Sequence, residues 1–444
     1  MSIAAEQPAS RGLLRILGVG FGVAVGVGMM IGSGILASPS EIARHVPNAG
    51  WIVALWVLGA LHAALGANIV AELATALPKA GGSYVYAHRA LGDVGGLIVG
   101  WANWISTLAG IAAASVAFAA FLGQLWPESR QFGIAISLLL QVLIYGPNML
   151  GLREGRVLQE ATSLLKALML LAFVIAALAI AGEMPAARML PAATSAIGWV
   201  ALVGAYQMVR GAYAGWEAPV YFSEENEAPA RSIPRALGLG LLLTAALYIS
   251  VNMALLWALG VDGTARSVLP FTTVLMHFGG EVPAIVFALG AMITVASCAN
   301  ANVMSAPRVL FALSRDRLLP HALQNVNGGG SPTLAFAMSA AASIALVCVV
   351  RDFGQIFRLI GTLNSLAGIL VGASIFVLRA REPDLPRPFR AYLYPFLPAV
   401  VLMVDAALLV LFLSADPKGA YVAAALALAC IPFALIARRA RRTT

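Results

Sequence analysis

Apolar runs dominate the chain, and short polar stretches separate them at fairly regular intervals. Twelve runs stand out, centred near residues 26, 63, 106, 140, 169, 210, 247, 293, 342, 367, 403 and 428. A helix needs about 20 apolar residues to cross the hydrocarbon core of a bilayer. Inside lipid only helices and closed barrels satisfy every backbone N–H and C=O. Runs of this length fit helices rather than barrel strands. The pattern therefore predicts an all-α integral membrane protein with about 12 transmembrane helices.

Two of these runs are interrupted. The first contains "GMMIGSGIL", residues 28–36, with Gly32, Ser33 and Gly34 where a spanning helix should be firmest. Glycine costs roughly 1 kcal/mol in a helix interior relative to alanine. Small residues four apart, such as Gly18, Gly22 and Gly26, suit close helix packing. Three adjacent small residues do not, and they let the backbone leave helical geometry. The sixth run, "VRGAYAGWEAPVYF", residues 209–222, is broken in the same way by Gly211, Gly215 and Pro219. Breaks in spans one and six occupy corresponding positions of two five-span halves. That placement points to an inverted-repeat transporter with its binding site near the bilayer midplane. Exposed N–H groups at a half-helix N-terminus would suit a carboxylate.

Composition agrees with the hydropathy pattern. Of 444 residues, 60% are hydrophobic and only 11% charged, against about 25% charged in soluble domains. No cleavable secretory signal stands apart from the first run. Nineteen of the 28 Lys and Arg residues fall in loops on the side of both termini, seven on the other side, and Lys166 and Arg210 within spans. This bias predicts both termini in the cytoplasm of a multi-pass protein of the cytoplasmic membrane. The net charge of +8 is then loop charge that sets topology, with no call for nucleic acid. Cys298, Cys348 and Cys430 lie in apolar runs, read as small core residues. The five histidines are dispersed, so no metal site is expected, and a nucleotide-binding GxxxxGK[ST] loop is absent. No cofactor and no ATP are implied.

The predicted organisation is a cytoplasmic tail over 1–11 and a ten-helix body over 12–380. A Pro-rich cytoplasmic linker over 381–391 follows, then two further helices within 392–437 and a basic tail over 438–444.

Four ordered stretches carry a family resemblance. They are "GMMIGSGIL", "AELATALPKAGGSYVYAHRALG" (71–92), "AYAGWEAPVYFSEENEAPARSIPRAL" (212–237) and "SAPRVLFALSRDRLLP" (305–320). Together they resemble the amino acid/polyamine/organocation superfamily over about residues 12–380. Ala212-Tyr213 followed by Gly215-Trp216 is most similar to the L-type amino acid transporters and their bacterial relatives. The resemblance implies a LeuT-type 5+5 inverted repeat with discontinuous helices 1 and 6. It also implies a sodium-independent secondary transporter of amino acids working by alternating access. Exchange and proton symport both stay open, as does a polyamine or organic amine as substrate; protons are a partner only under symport. The lipid bilayer is the remaining partner.

Carried over residue by residue, the resemblance assigns the substrate carboxylate to the backbone of Ile31, Gly32, Ser33 and Gly34. It assigns the ammonium to carbonyls of Met30 and of Gly211 or Ala212. Tyr213 and Trp216 would shape the side-chain pocket. Related transporters often carry a bulky aromatic where this chain has Gly211. Either the occluding group comes from elsewhere, or the pocket admits larger side chains. Lys166 lies deep in span five, where a lysine costs about 2.5–3.5 kcal/mol on insertion scales. The resemblance gives it the place of a sodium ion, bridging first-helix carbonyls to Ser297, Asn300 and Ser305 of span eight.

Arg210 and Glu217 flank the sixth-span break. Glu217 either meets a polar or cationic substrate group, carries a proton, or forms an internal pair with Arg210. Glu72, Arg210, Glu224, Glu225 and Arg231 are the candidate gate residues, as ion pairs on the cytoplasmic side. Asp405 falls in span eleven, outside the ten-helix body, with no role assigned. A membrane enzyme would need a convergent nucleophile, base and orienting group, and none is visible. A channel would be expected to repeat its pore-lining segments, whereas the two broken spans differ.

Overall fold

The computed structural model describes residues 18–79, 81–150, 155–180, 198–327, 331–349, 353–433 and 435–436. The tails over 1–11 and 438–444 lie outside them. Each apolar run is helical over its described residues, span six up to its break. In chain order the helices are α1 (Val19–Met30), α2 (Ser33–His45), α3 (Ala49–Ala76), α4 (Tyr84–Leu125), α5 (Gly133–Leu150), α6 (Gly155–Ile180) and α7 (Trp199–Ala212). They continue with α8 (Pro229–Arg266), α9 (Pro270–Gly279), α10 (Glu281–Arg315), α11 (Thr333–Val349), α12 (Phe353–Arg381), α13 (Phe396–Ala415) and α14 (Pro417–Leu428). Among the described residues, nine helical segments are long and apolar enough to cross a membrane, counting Val19–His45 as one. The short α9 fills the α8–α10 connection, where the hydropathy pattern placed no span.

Two packed groups share the interior. The helices α1, α2, α3, α7 and α8 contact one another, and α4, α5, α10 and α11 form a second set, with α4 seated between α10 and α12. Small residues set the closest approaches. A Cβ on Gly22 would sit 2.6 Å from Ala236 of α8, so the glycine lets α1 and α8 touch. Gly18 and Gly20 face open space instead, and packing does not explain them. The outward faces are apolar: Leu164, Leu168, Leu171 and Ile175 of α6 are each at least 45% exposed, while Lys166 on the same helix is 1% exposed. An apolar exterior with the charged Lys166 turned inward suits lipid as the surrounding solvent.

The linker before α13 is fastened rather than loose. Glu72 of α3 accepts from Arg379 Nε at 2.9 Å and Nη2 at 2.6 Å. It also accepts from the Ala391 amide at 2.6 Å, with Arg387 Nε at 3.4 Å. The partners of Glu72, which the sequence left unnamed, come from the α12 end and the linker. Glu72 is 1% exposed and Arg379 23%, so removing the charge strands a partly buried guanidinium. Glu72→Gln should cost about 2 kcal/mol of stability. The check is a lower Tm in detergent, with faster proteolysis after Arg381.

Candidate functional site

The first span breaks at Ile31 (φ −73, ψ 99) and Gly32 (φ −156, ψ −146), between α1 and α2. A helix end leaves its last carbonyls without intrahelical partners. Here three neighbouring helices supply side chains. Lys166 Nζ of α6 donates to Gly28 O at 3.0 Å, the Cys298 thiol of α10 to Met29 O at 3.3 Å, and the Tyr248 hydroxyl of α8 to Met30 O at 2.5 Å. On the other side of the break, Gly32 gives α2 no side-chain cap. Gly32, Ser33 and Gly34 line a cavity, so the α2 N-terminus brings its positive dipole end to that cavity.

The second break follows Ala212. Residues 213–217 are turns, and a short 3-10 helix runs over Ala218–Glu225. Gly215 takes φ +98, a left-handed conformation that glycine adopts without penalty. A Cβ there would lie 2.8 Å from Met29, so the turn presses on the end of α1. The two breaks also meet directly: a Cβ on Gly34 would lie 2.8 Å from Ala212 Cα. Tyr248 joins them, its hydroxyl also reaching Ala212 O at 3.3 Å. The Met30 and Ala212 carbonyls, expected to hold an ammonium, thus converge on a phenol that sequence reasoning did not single out. Tyr213 donates to Trp56 O at 3.2 Å and packs against Trp56 and Tyr248. The half-buried Trp216 packs over Gly66.

The shared cavity has a volume of about 160 Å³. On that measure one water takes roughly 10–15 Å³. The space therefore holds on the order of ten water-sized groups, the scale of one amino acid. Glu217 lies in its wall, accepting from Ser83 Oγ at 2.9 Å and Tyr221 at 3.4 Å.

Gly211 is helical, and Phe357 of α12 covers it. A Cβ at Gly211 would meet Phe357 Cδ1 at 2.7 Å and its carbonyl oxygen at 2.9 Å. The same ring lies 3.2 Å from a Cβ placed on Gly34. The space left by the missing span-six side chain is filled from α12, so Gly211 does not leave a wider pocket. Gly211→Phe should therefore lower uptake of small and large substrates alike, by roughly a hundredfold. Gly211→Phe combined with Phe357→Ala should recover part of it. Initial uptake rates for alanine, serine, leucine and phenylalanine check this; selective loss of large substrates would contradict it.

Three expectations change on the span-eight side. Ser297 Oγ donates to Thr162 at 2.9 Å, Asn300 Oδ1 accepts from Asn148 at 2.8 Å, and Ser305 Oγ donates to Ala301 O at 2.9 Å. None of these hydrogen bonds involves Lys166. Cys298, taken from the sequence as core, is the α10 side chain at the break. It lines the cavity with Asn302, one turn further along. Cys348 is exposed and Cys430 buried.

The charged groups sort differently from the sequence pairing. Arg210 pairs with Asp405 of α13 at 2.7 Å rather than with Glu217. Asp405 thus belongs to the cavity wall and not to a detached tail. Glu224 lies 4.0 Å from Arg315. Burial pushes the Glu225 carboxyl above the ordinary carboxylate range, and Arg308 draws it back. Arg231 is exposed, with no ion pair to Glu224 or Glu225 among the described residues.

The chain is similar to several curated transporters along most of its length. It is 24% identical over 397 residues to the serine/threonine exchanger SteT of Bacillus subtilis, covering 88% of this chain and 89% of that one. It is 26% identical over 424 residues to the rabbit large neutral amino acids transporter small subunit 2, covering 91% and 77%. The branched-chain amino acid permease BcaP of Bacillus subtilis is 24% identical over 420 residues, covering 90% and 88%. The family model described as amino acid permease matches residues 22–436. With two interrupted helices facing one cavity and a family match over nearly its whole length, the chain belongs to the amino acid permeases of the amino acid/polyamine/organocation superfamily.

Proposed function

We propose that this protein is a sodium-independent secondary transporter that carries single amino acids across the cytoplasmic membrane by alternating access. The observation that carries the reading is the meeting of two helix breaks, at Gly34 and Ala212, on one cavity of amino-acid size. The α-carboxylate binds at the N–H groups of Gly32, Ser33 and Gly34. The ammonium sits toward the Met30 and Ala212 carbonyls, sharing them with Tyr248. Twelve spans in a five-plus-five inverted repeat, with cytoplasmic termini, accommodate these placements. The set α1, α2, α3, α7 and α8 moves against the set α4, α5, α10 and α11. Lys166 stands where a coupling ion would bind, so no sodium is needed. The relatives named serine/threonine exchanger and branched-chain permease support a neutral amino acid as substrate.

Uptake of labelled amino acids by proteoliposomes tests this. Saturable uptake that persists with choline in place of sodium is expected. Unsaturable flux would indicate a channel, and competition by putrescine but not by amino acids would indicate an amine carrier. Acceleration by internal amino acid without a pH gradient identifies exchange; dependence on the gradient identifies symport.

A further inference from the structure

A second polar constellation lies on the same cavity, away from both helix breaks. Arg210 of α7, His62 of α3 and Asp405 of α13 converge there, with side-chain exposures of 12%, 11% and 3%. Arg210 Nη1 lies 2.7 Å from Asp405 Oδ1 and 2.9 Å from both ring nitrogens of His62. His62 Nε2 lies 3.3 Å from the same Asp405 oxygen, and its Nδ1 is 3.0 Å from the Tyr206 hydroxyl. Charged or titratable groups at the cluster are therefore His62 from α3, Tyr206 and Arg210 from α7, and Asp405 from α13. From α12 the cluster meets Gly368, pressed against the Asp405 carboxylate.

The chemistry of the three groups permits two arrangements. A guanidinium only donates, and a neutral imidazole has one accepting nitrogen, whereas an imidazolium has none. A neutral His62 suits these contacts: one ring nitrogen can donate toward Asp405, and the other can accept from Arg210 or from the Tyr206 hydroxyl. If His62 takes a proton, it opposes Arg210 with N–H against N–H and charge against charge. The imidazolium and the guanidinium then compete for one carboxylate. Arg210 holds Asp405 at 2.7 Å against 3.3 Å for His62, so what protonation removes first is the Arg210–His62 contact at 2.9 Å, and the like charge pushes Arg210 away from that side of the cluster. Histidine is the side chain whose ordinary pKa places this choice near neutral pH.

We infer that His62, with Asp405, is a proton-binding site that switches Arg210 between held and released positions and so links proton binding to movement at the sixth-span break. Arg210 adjoins Gly211, which bears on Phe357, and lies two residues before Ala212, which bears on Gly34. A displaced Arg210 moves the helix end that carries these contacts. The proton reaches His62 through the cavity it lines. This inference rests on the transport reading, since its output is the rate of that cycle.

The test is initial uptake in proteoliposomes across pH 5.5–8, at fixed membrane potential, with the amino acid that wild-type protein takes up. Wild-type rates should change about threefold or more between the neutral and the acidic end of this range. His62→Gln, which keeps a neutral donor and acceptor, should flatten the profile. Asp405→Asn should shift the midpoint to lower pH, because the imidazolium loses its carboxylate. Substrate affinity of the detergent-solubilised protein, measured across the same pH range, gives the same comparison if either variant transports too slowly. A flat wild-type profile overturns the proposal whatever the variants do, and so does a His62→Gln profile that follows the wild type. Absence of any amino acid uptake by wild-type protein would instead overturn the transport reading.

Discussion

Gly34→Val is expected to abolish uptake while the protein still reaches the membrane. Gly34 opens α2 at the point where the two broken spans touch, and even a methyl there would lie 2.8 Å from Ala212 Cα and 3.2 Å from the Phe357 ring. Backbone cannot swing aside as a flexible side chain can. A valine adds two branches to that clash and stiffens the turn at χ1. Overpacking of this kind costs about 1–3 kcal/mol of stability, which leaves the protein folded. The geometric effect on binding is larger, because a shift of about 1 Å in a binding constellation can cost about a hundredfold. Gly34→Ala should show a smaller loss of the same kind. Surface quantification together with uptake checks both, and near-normal uptake by Gly34→Val would remove this break from the binding site.

Lys166→Ala should reduce transport by about tenfold or more, a barrier change of about 1.4 kcal/mol, and weaken substrate binding less. Lys166 is 1% exposed on a helix whose other face is apolar, and its ammonium donates to Gly28 O near the end of α1. Removing it leaves that carbonyl without its partner and takes away the α6 contact nearest the break, while Ser163 still donates to Ala24 O at 2.7 Å further back on α1. Cys298 and Tyr248 still hold the next two oxygens, those of Met29 and Met30, so the break persists while its link to Lys166 is lost. Lys166→Met, of similar length but neutral, separates packing from charge and should resemble the alanine variant. Uptake and binding measured side by side give the comparison. A strict sodium requirement in the wild type would remove the lysine from its coupling role.

Some of the site was legible because its signals are local. Adjacent small residues at 32–34, and Gly215 with Pro219 in span six, mark breaks wherever the chain folds, since they change what the backbone itself can do. Lys166 was legible because a lysine in the middle of an apolar run is costly wherever that run packs. On α10, Cys298 and Asn302 lie four residues apart, and that spacing could have marked the cavity face; Ser297, Asn300 and Ser305 do not line it.

Partners were not legible, because they depend on how helices far apart in the chain are rotated against each other. Nothing near Arg210 in sequence announces Asp405, 195 residues away, and nothing near Glu72 announces Arg379, 307 residues away. Phe357 covers Gly211 although no motif surrounds it, and Tyr248 ties Met30 to Ala212 from the middle of an ordinary apolar helix. The sequence by itself determined the helical membrane class, the places where two helices must break, and the presence of a buried lysine, because each follows from backbone propensity or from the cost of leaving water. Only the tertiary structure decided which side chains close the breaks and which charges pair, because a hydrogen bond of about 3 Å depends on helix rotation and depth, which the hydropathy of a run leaves free.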